Sequence, residues 1–196
     1  MSDVLNRAWV GAAYCLAPRK VLLVAESQVA GLKGSPLDFT VSAVDEWSEG
    51  QGSATITRLA RLVTGQANAQ MDRRTALRAF AYYNFIQVTM ETIKHRPSQG
   101  QAAASLPAFR ETLADLRPHR VVICSYVAWE AIGPEGDRKR KRAIAGENVD
   151  LTVLTAPWGN VLVLGLQHAS RISVTRFAPV VSTFLGMSTD NLDRAA

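Results

Sequence analysis

Short unbroken apolar runs alternate along this chain with longer stretches in which apolar residues recur every three or four positions. The runs Lys20 to Ala25, Tyr82 to Val88, Arg120 to Cys124, Asp150 to Thr155 and Val161 to Leu166 read as strands. They are continuous rather than alternating, as expected of strands covered on both faces. Helical spacing predicts helices over Val4 to Leu16, Ser53 to Thr64 (stripe Ile56, Leu59, Ala60, Leu62, Val63), Ser105 to Leu116 with Pro107 in its first turn, Tyr126 to Ile132 and Ser173 to Leu185. A further helix starts at the N-cap Asp72 and runs through Ala81.

Glycine, serine and proline mark Ser27 to Asp38 as a long loop, and loops of that length in compact domains are usually functional. A loop with His95, Arg96 and Pro97 follows the second strand, a Gly-bounded charged loop spans Gly133 to Gly146, and Pro157 to Asn160 form a turn. Strands alternating with helices predict an α/β fold: a three-layer αβα sandwich around a central, mostly parallel sheet of four to five strands. The expectation is one domain over residues 1–196, with a loose tail over 186–196.

Composition changes this picture in two places. Lysine and arginine exceed aspartate and glutamate by 22 − 17 = 5, and the run Arg138, Lys139, Arg140, Lys141, Arg142 alone accounts for that excess. Basicity gathered in one segment suits a polyanion, although such a run is often only a solvated face. Cys15 and Cys124 are the only cysteines, too few for a four-thiolate zinc or iron-sulfur site. They fit a reducing, cytoplasmic setting without a disulfide. No stretch is long enough for a membrane helix, and no phosphate-loop, dinucleotide or metal-ligand spacing is present, so neither cofactor nor metal is expected.

The chemistry collects where strands end. Glu26-Ser27-Gln28 follows the first run, Asn84 lies in the second, and His168-Ala169-Ser170-Arg171 follows the last. Ligands of open α/β sheets bind at the carboxyl ends of strands, so these side chains can converge on one small molecule. His95 and His119 read as surface residues, and Trp9, Trp47, Trp129 and Trp158 as core or loop anchors.

Four segments carry a resemblance in pattern, from Lys20 to Leu185, to the uracil-DNA glycosylase superfamily. VLLVAES is similar to its first motif, a strand ending in a polar turn that handles the attacking water. AYYNFIQ resembles the strand whose asparagine reads the flipped base, LPAFRETLADLRPHRVVICSYVAWEAI the helix, turn, strand and helix that follow, and QHASR the His-Pro-Ser motif. The resemblance implies a monofunctional DNA glycosylase with Glu26 and His168 catalytic. Asn84, Ser27, Gln28 and Phe39 then bind the base, and Ser170, Arg171, Lys33, Arg96 and the run 138–142 hold DNA, single- or double-stranded. Ser170 and Arg171 are expected to grip a phosphate through backbone amides.

Departures shape the expected substrate. The Pro-Gly or Pro-Tyr-His of the first motif is absent, Ala169 stands for proline, and no aromatic follows Glu26 to exclude a substituent on C5 of a pyrimidine. The substrate expected is therefore a damaged or modified base, with hypermodified phage bases such as glucosylated hydroxymethylcytosine in view and ordinary uracil repair as the alternative. No lysine lies among the motif residues, so strand cleavage through a Schiff base is not expected. Rival readings are a non-catalytic nucleic-acid-binding module of the same fold and a small nucleotide hydrolase. The protein is expected to act as a monomer.

Overall fold

The computed structural model describes residues 5–28, 38–92, 95–136 and 140–188, without the side chain of residue 140. The elements are β1 (Trp9–Val10), β2 (Val21–Ala25), α1 (Phe39–Ser48), α2 (Ala54–Thr64), α3 (Arg73–Ala76), β3 (Phe80–Asn84), α4 (Gln99–Leu116), β4 (Arg120–Cys124), α5 (Tyr126–Ile132), β5 (Arg140–Ile144), β6 (Glu147–Ala156), β7 (Gly159–Leu166) and α6 (Val174–Gly186). The fold is α/β with a mixed seven-stranded sheet in the order β1-β3-β2-β4-β7-β6-β5. Its centre, β3-β2-β4-β7, is parallel, while β1, β6 and β5 add antiparallel strands at the flanks. The expected four- to five-stranded sheet is thus extended on both sides, because β1 and β5 arise where the sequence pattern predicts other structure.

Helices cover both faces. Val21, Leu23 and Ala25 of β2 pack with Val44 and Trp47 of α1, Ile56, Leu59 and Leu62 of α2, and Val180, Val181 and Phe184 of α6. Leu22 and Val24 point the other way, onto Phe109 and Leu113 of α4 and Ala128, Trp129 and Ile132 of α5. Period-two alternation splits one all-apolar strand between two cores, which is why β2 and β4 carry no exposed residue. After β2 the chain crosses to the first face as α1; after the neighbouring β4 it crosses to the second as α5. The carboxyl ends of β2 and β4 therefore bound a topological switch point.

Several elements depart from expectation. Val4 to Leu16 is no helix: Trp9 and Val10 pair with Tyr82 and Ala81 as an edge strand, followed by a 3-10 turn at Tyr14–Leu16. Gly11 admits that course, since its N–H donates to Phe80 O at 2.9 Å and a Cβ there would lie 2.3 Å from Arg78 O. The helix from Asp72 stops at Ala76, and the following strand occupies Phe80–Asn84 rather than Tyr82 to Val88, because pairing with β2 takes over from Phe80 onward.

Helix α4 starts at Gln99, six residues before the expected Ser105, because Ser98 and Gln101 form a reciprocal capping box; Pro107 consequently sits inside the helix rather than in its first turn. The loop expected over Gly133 to Gly146 holds a 3-10 turn, Gly133–Glu135, and strand β5, so Arg140, Lys141 and Arg142 lie on an edge strand paired with β6. Charged residues on an open edge hinder strand addition. Lys141 Nζ lies 3.5 Å from Asp150. Among the described residues no helix is long and apolar enough to cross a membrane.

Candidate functional site

Glu26, Asn84 and His168 end three strands of the parallel block at one edge. Ala25 is the register partner of Asn84, Val24 of Ile123, and Cys124 of Leu166, so β3, β2, β4 and β7 present Asn84, Glu26, Ser125 and the turn with His168 in that order. Neighbouring strands lie about 4.8 Å apart, which puts the outer members within roughly three such steps.

Glu26 is buried, 6% exposed. Its Oε2 accepts a hydrogen bond from Ser125 Oγ at 2.9 Å, and the same Oγ accepts the Ala128 N–H at 3.1 Å as the N-cap of α5. The hydroxyl proton must point at the carboxylate, since the oxygen is already the acceptor for the helix. Glu26 thus sits by the positive end of α5, where negative charge is favoured. Its Oε1 accepts no bond from the described residues.

Asn84 is buried as well. Nδ2 donates to Thr40 Oγ1 at 3.1 Å, and the Tyr82 hydroxyl approaches Oδ1 at 3.4 Å. Burial raises the Tyr82 phenol far above its ordinary range, so it serves as a neutral donor. Gln28 Nε2 reaches the same Thr40 Oγ1 at 2.8 Å and Asn6 Oδ1 at 2.9 Å. Asn6 is tied in turn to Gln87, whose Oε1 accepts the main-chain N–H groups of Leu5 and Asn6 and whose Nε2 donates to Tyr83 OH at 2.7 Å. A connected set of amides and hydroxyls therefore fills the edge beside β2 and β3.

His168 is half-buried in the turn after β7. The Ser170 N–H donates to Nδ1 at 3.1 Å, with Ser170 Oγ 2.7 Å from the same nitrogen. A nitrogen that accepts an amide proton carries none itself, so the neutral ring bears its proton on Nε2, free to donate. Arg58 Nη1 donates to Ser170 O at 2.9 Å, and buried Ala169 and Ile172 anchor the turn in the core.

The remaining predicted residues divide. Ser27 is half-buried beside Glu26, and Phe39 is buried at the start of α1. Arg96, Ser170 and Arg171 are exposed. The amide grip expected of Ser170 and Arg171 is corrected by the turn itself, since both N–H groups already donate to His168. An anion there would meet the Arg171 side chain instead. Lys33, Arg138 and Lys139 lie outside the described residues, as does the Arg140 side chain.

Sequence reasoning missed Asn6, Thr40, Gln87 and Ser125. Only Ser125 had a readable signal, a serine between a strand and a helical pattern. Cys124, at the end of β4, faces the core, and burial pushes its thiol up to about 12, which removes it as a nucleophile at neutral pH. Among the described residues no group of three or more His, Cys, Asp or Glu side chains could hold a metal ion. Past Ser125, α4 and α5 flank an apolar groove of about 490 Å³ lined in part by Leu106, Val127 and the exposed Tyr126.

No family model and no curated protein matches the chain. Among solved structures it is similar to a domain of unknown function (DUF1537) from Bordetella bronchiseptica, crystallised with bound citrate as a domain-swapped dimer. The TM-score is 0.42 and the identity 13%, over 84% of this chain and 41% of that one. The chain therefore spans less than half the length of that structure.

Proposed function

We propose that the protein is a monofunctional DNA glycosylase that extrudes a damaged or modified base, a pyrimidine in the first instance, and hydrolyses its N-glycosidic bond. The same reading takes the fold as a three-layer sandwich of the uracil-DNA glycosylase type. The observation that carries it is the register: an amide, an acid and an imidazole follow three of the four parallel strands, β3, β2 and β7, at a single edge around a switch point.

Bond cleavage leaves negative charge on the base and positive charge on the sugar. Glu26, oriented by Ser125, opposes the positive charge and directs water through Oε1. His168 donates from Nε2 to the base oxygen as it gains charge, a type of contact whose loss costs roughly 10²–10³ in rate. Asn84 reads the base edge after trading its Thr40 contact for the ligand. None of Glu26, Asn84 or His168 lines the groove beside Tyr126, so the room for a substituent on the base follows from the sequence, in which no aromatic residue follows Glu26. This supports a hypermodified substrate, and with it a role in defence against phages, over plain uracil repair.

The test is incubation of the protein with DNAs carrying uracil, hypoxanthine, hydroxymethylated cytosine or glucosylated cytosine, scored by alkali-labile sites and by the mass of released base. One of them is expected to lose its base, and Glu26→Gln to slow that loss by roughly 10²–10⁴ with DNA binding retained. A parent protein that binds DNA and releases nothing supports the non-catalytic module, a reading favoured by the internal bonds of Glu26 and Asn84.

A further inference from the structure

Gln28 carries a hydrogen-bonding function that its surroundings leave open. The residue is 3% exposed, and both Nε2 protons are used, on Asn6 Oδ1 and Thr40 Oγ1. Oε1 is buried and has no partner among the described residues. Buried polar atoms are nearly always satisfied, so an open one needs a reason.

Turning the amide over would be the simple relief, but it is blocked. Asn6 Nδ2 donates to Gln87 O at 3.3 Å, which leaves Asn6 Oδ1 facing Gln28. A turned Gln28 would set one carbonyl oxygen against another. Asn6 cannot turn either, because its side chain and main chain are both held by Gln87, and Gln87 is oriented by two N–H donors on Oε1 and by Tyr83 OH on Nε2. The orientation thus passes from Tyr83 through Gln87 and Asn6 to Gln28.

Thr40 Oγ1 joins this chain to the base reader, since it accepts from Gln28 at 2.8 Å and from Asn84 at 3.1 Å. Two side-chain amides therefore meet at one hydroxyl. We infer that Gln28 determines specificity: its Oε1 accepts a hydrogen bond from an amino group on the extruded base, so the substrate class is an amino-bearing, cytosine-like base rather than a keto, uracil-like one. This deepens the glycosylase reading and rests on it. A keto oxygen beside Gln28 Oε1 leaves two desolvated acceptors facing each other, whereas an amino group satisfies one. Sites built to hydrogen-bond a group reject the analogue lacking it far better than sites that only measure size.

Matched oligonucleotides carrying 5-hydroxymethylcytosine or 5-hydroxymethyluracil differ at that edge alone. Single-turnover release by the full chain is expected to favour the amino base by at least about 10-fold. Gln28→Met keeps the length and loses the carbonyl, so the preference falls toward one through slower release of the amino base. Asn6→Ala frees the amide to turn and raises keto release relative to amino release. A merely structural Gln28 would slow both bases equally in Gln28→Met and keep the ratio, which overturns the inference. Equal or faster keto release by the parent overturns it and leaves the glycosylase reading standing. If neither matched base is released, the wider panel decides: release confined to glucosylated cytosine supports the inference, release confined to uracil or hypoxanthine overturns it, and release of nothing removes the glycosylase reading and the inference together.

Discussion

Removing the Ser125 hydroxyl breaks two bonds with one atom, which makes Ser125→Ala a strong test of how the strand ends are held. Ser125 is 0% exposed, so water cannot replace the lost oxygen without a cavity. Loss of an N-cap costs about 1 kcal/mol, and loss of a hydrogen bond to a charged group about 1.5–3 kcal/mol. The expected destabilisation is therefore about 2.5–4 kcal/mol, read from the urea midpoint at unchanged m-value. Glu26→Gln keeps an acceptor for the hydroxyl but removes the charge, and with it the favourable field of α5, for about 1 kcal/mol. In that background Ser125→Ala loses the cap and a neutral bond only. The cycle should then show a coupling of about 1 kcal/mol. A Ser125→Ala loss below about 0.5 kcal/mol, or a cycle additive to within about 0.3 kcal/mol, would refute the assignment of the hydroxyl as a bridge between carboxylate and helix.

Other perturbations probe other parts of the fold. Gly165 lies under the Trp129 indole, and a Cβ there would sit 2.5 Å from Cδ2 and Cε3, so Gly165→Ala is expected to cost at least about 1–3 kcal/mol. Trp129→Phe should recover part of that loss, and a neutral Gly165→Ala in thermal melts would contradict the packing described. Of the two free thiols, exposed Cys15 should react with a disulfide reagent in the native protein, and buried Cys124 only after denaturant is added. Two fast thiols would mean that the β4 end opens readily.

Burial, helped by Arg120, Lys20 and Arg19, holds the His119 imidazole below its ordinary value of 6.5, and Nδ1 accepts the Lys20 N–H at 3.0 Å. The unfolded chain then binds the proton first, so this contribution is present above about pH 6.5 and lost as pH falls through the lower folded value. His119→Asn should flatten the melting temperature between pH 7 and 5, and an unchanged profile would count against it.

Elements whose identity is local were readable, and those defined by a partner were not. Strands β2, β4 and β7 are apolar runs buried on both faces, and α2 announces itself by the Ser53 cap and its apolar stripe. By contrast β1 has two residues and exists only because the edge of β3 accepts it. Strand β5 is a basic run that becomes a strand through β6, and composition alone reads it as a solvated loop. The start of α4, Gln-Gly-Gln-Ala-Ala-Ala, has no amphipathic stripe and is set by the Ser98–Gln101 box, a signal present in the sequence. At the strand ends, positions 26, 84 and 168 stand out because polar residues follow apolar runs there. What they bond to does not, since Asn6 lies in a segment whose spacing reads as a helix and Thr40 in one to which the pattern assigns no element.

That division bears on what the buried amides are for. A purely structural network would be saturated, because an open buried acceptor is costly whereas an apolar replacement of similar shape is nearly free. Gln87 meets that standard, with two N–H donors on Oε1 and the Tyr83 hydroxyl and main-chain carbonyls on Nε2, and its work is to fasten the N-terminal segment. Gln28 does not, for its buried Oε1 has no partner among the described residues. That oxygen belongs to the segment leaving β2, two residues past Glu26, where the chain turns away from β4 at the switch point. Within this amide network, saturation at Gln87 and an open acceptor at Gln28 are the pattern expected when rigidity serves to aim that oxygen at a ligand; the other open buried atoms, on Arg61, Arg120 and Thr152, belong to no such network.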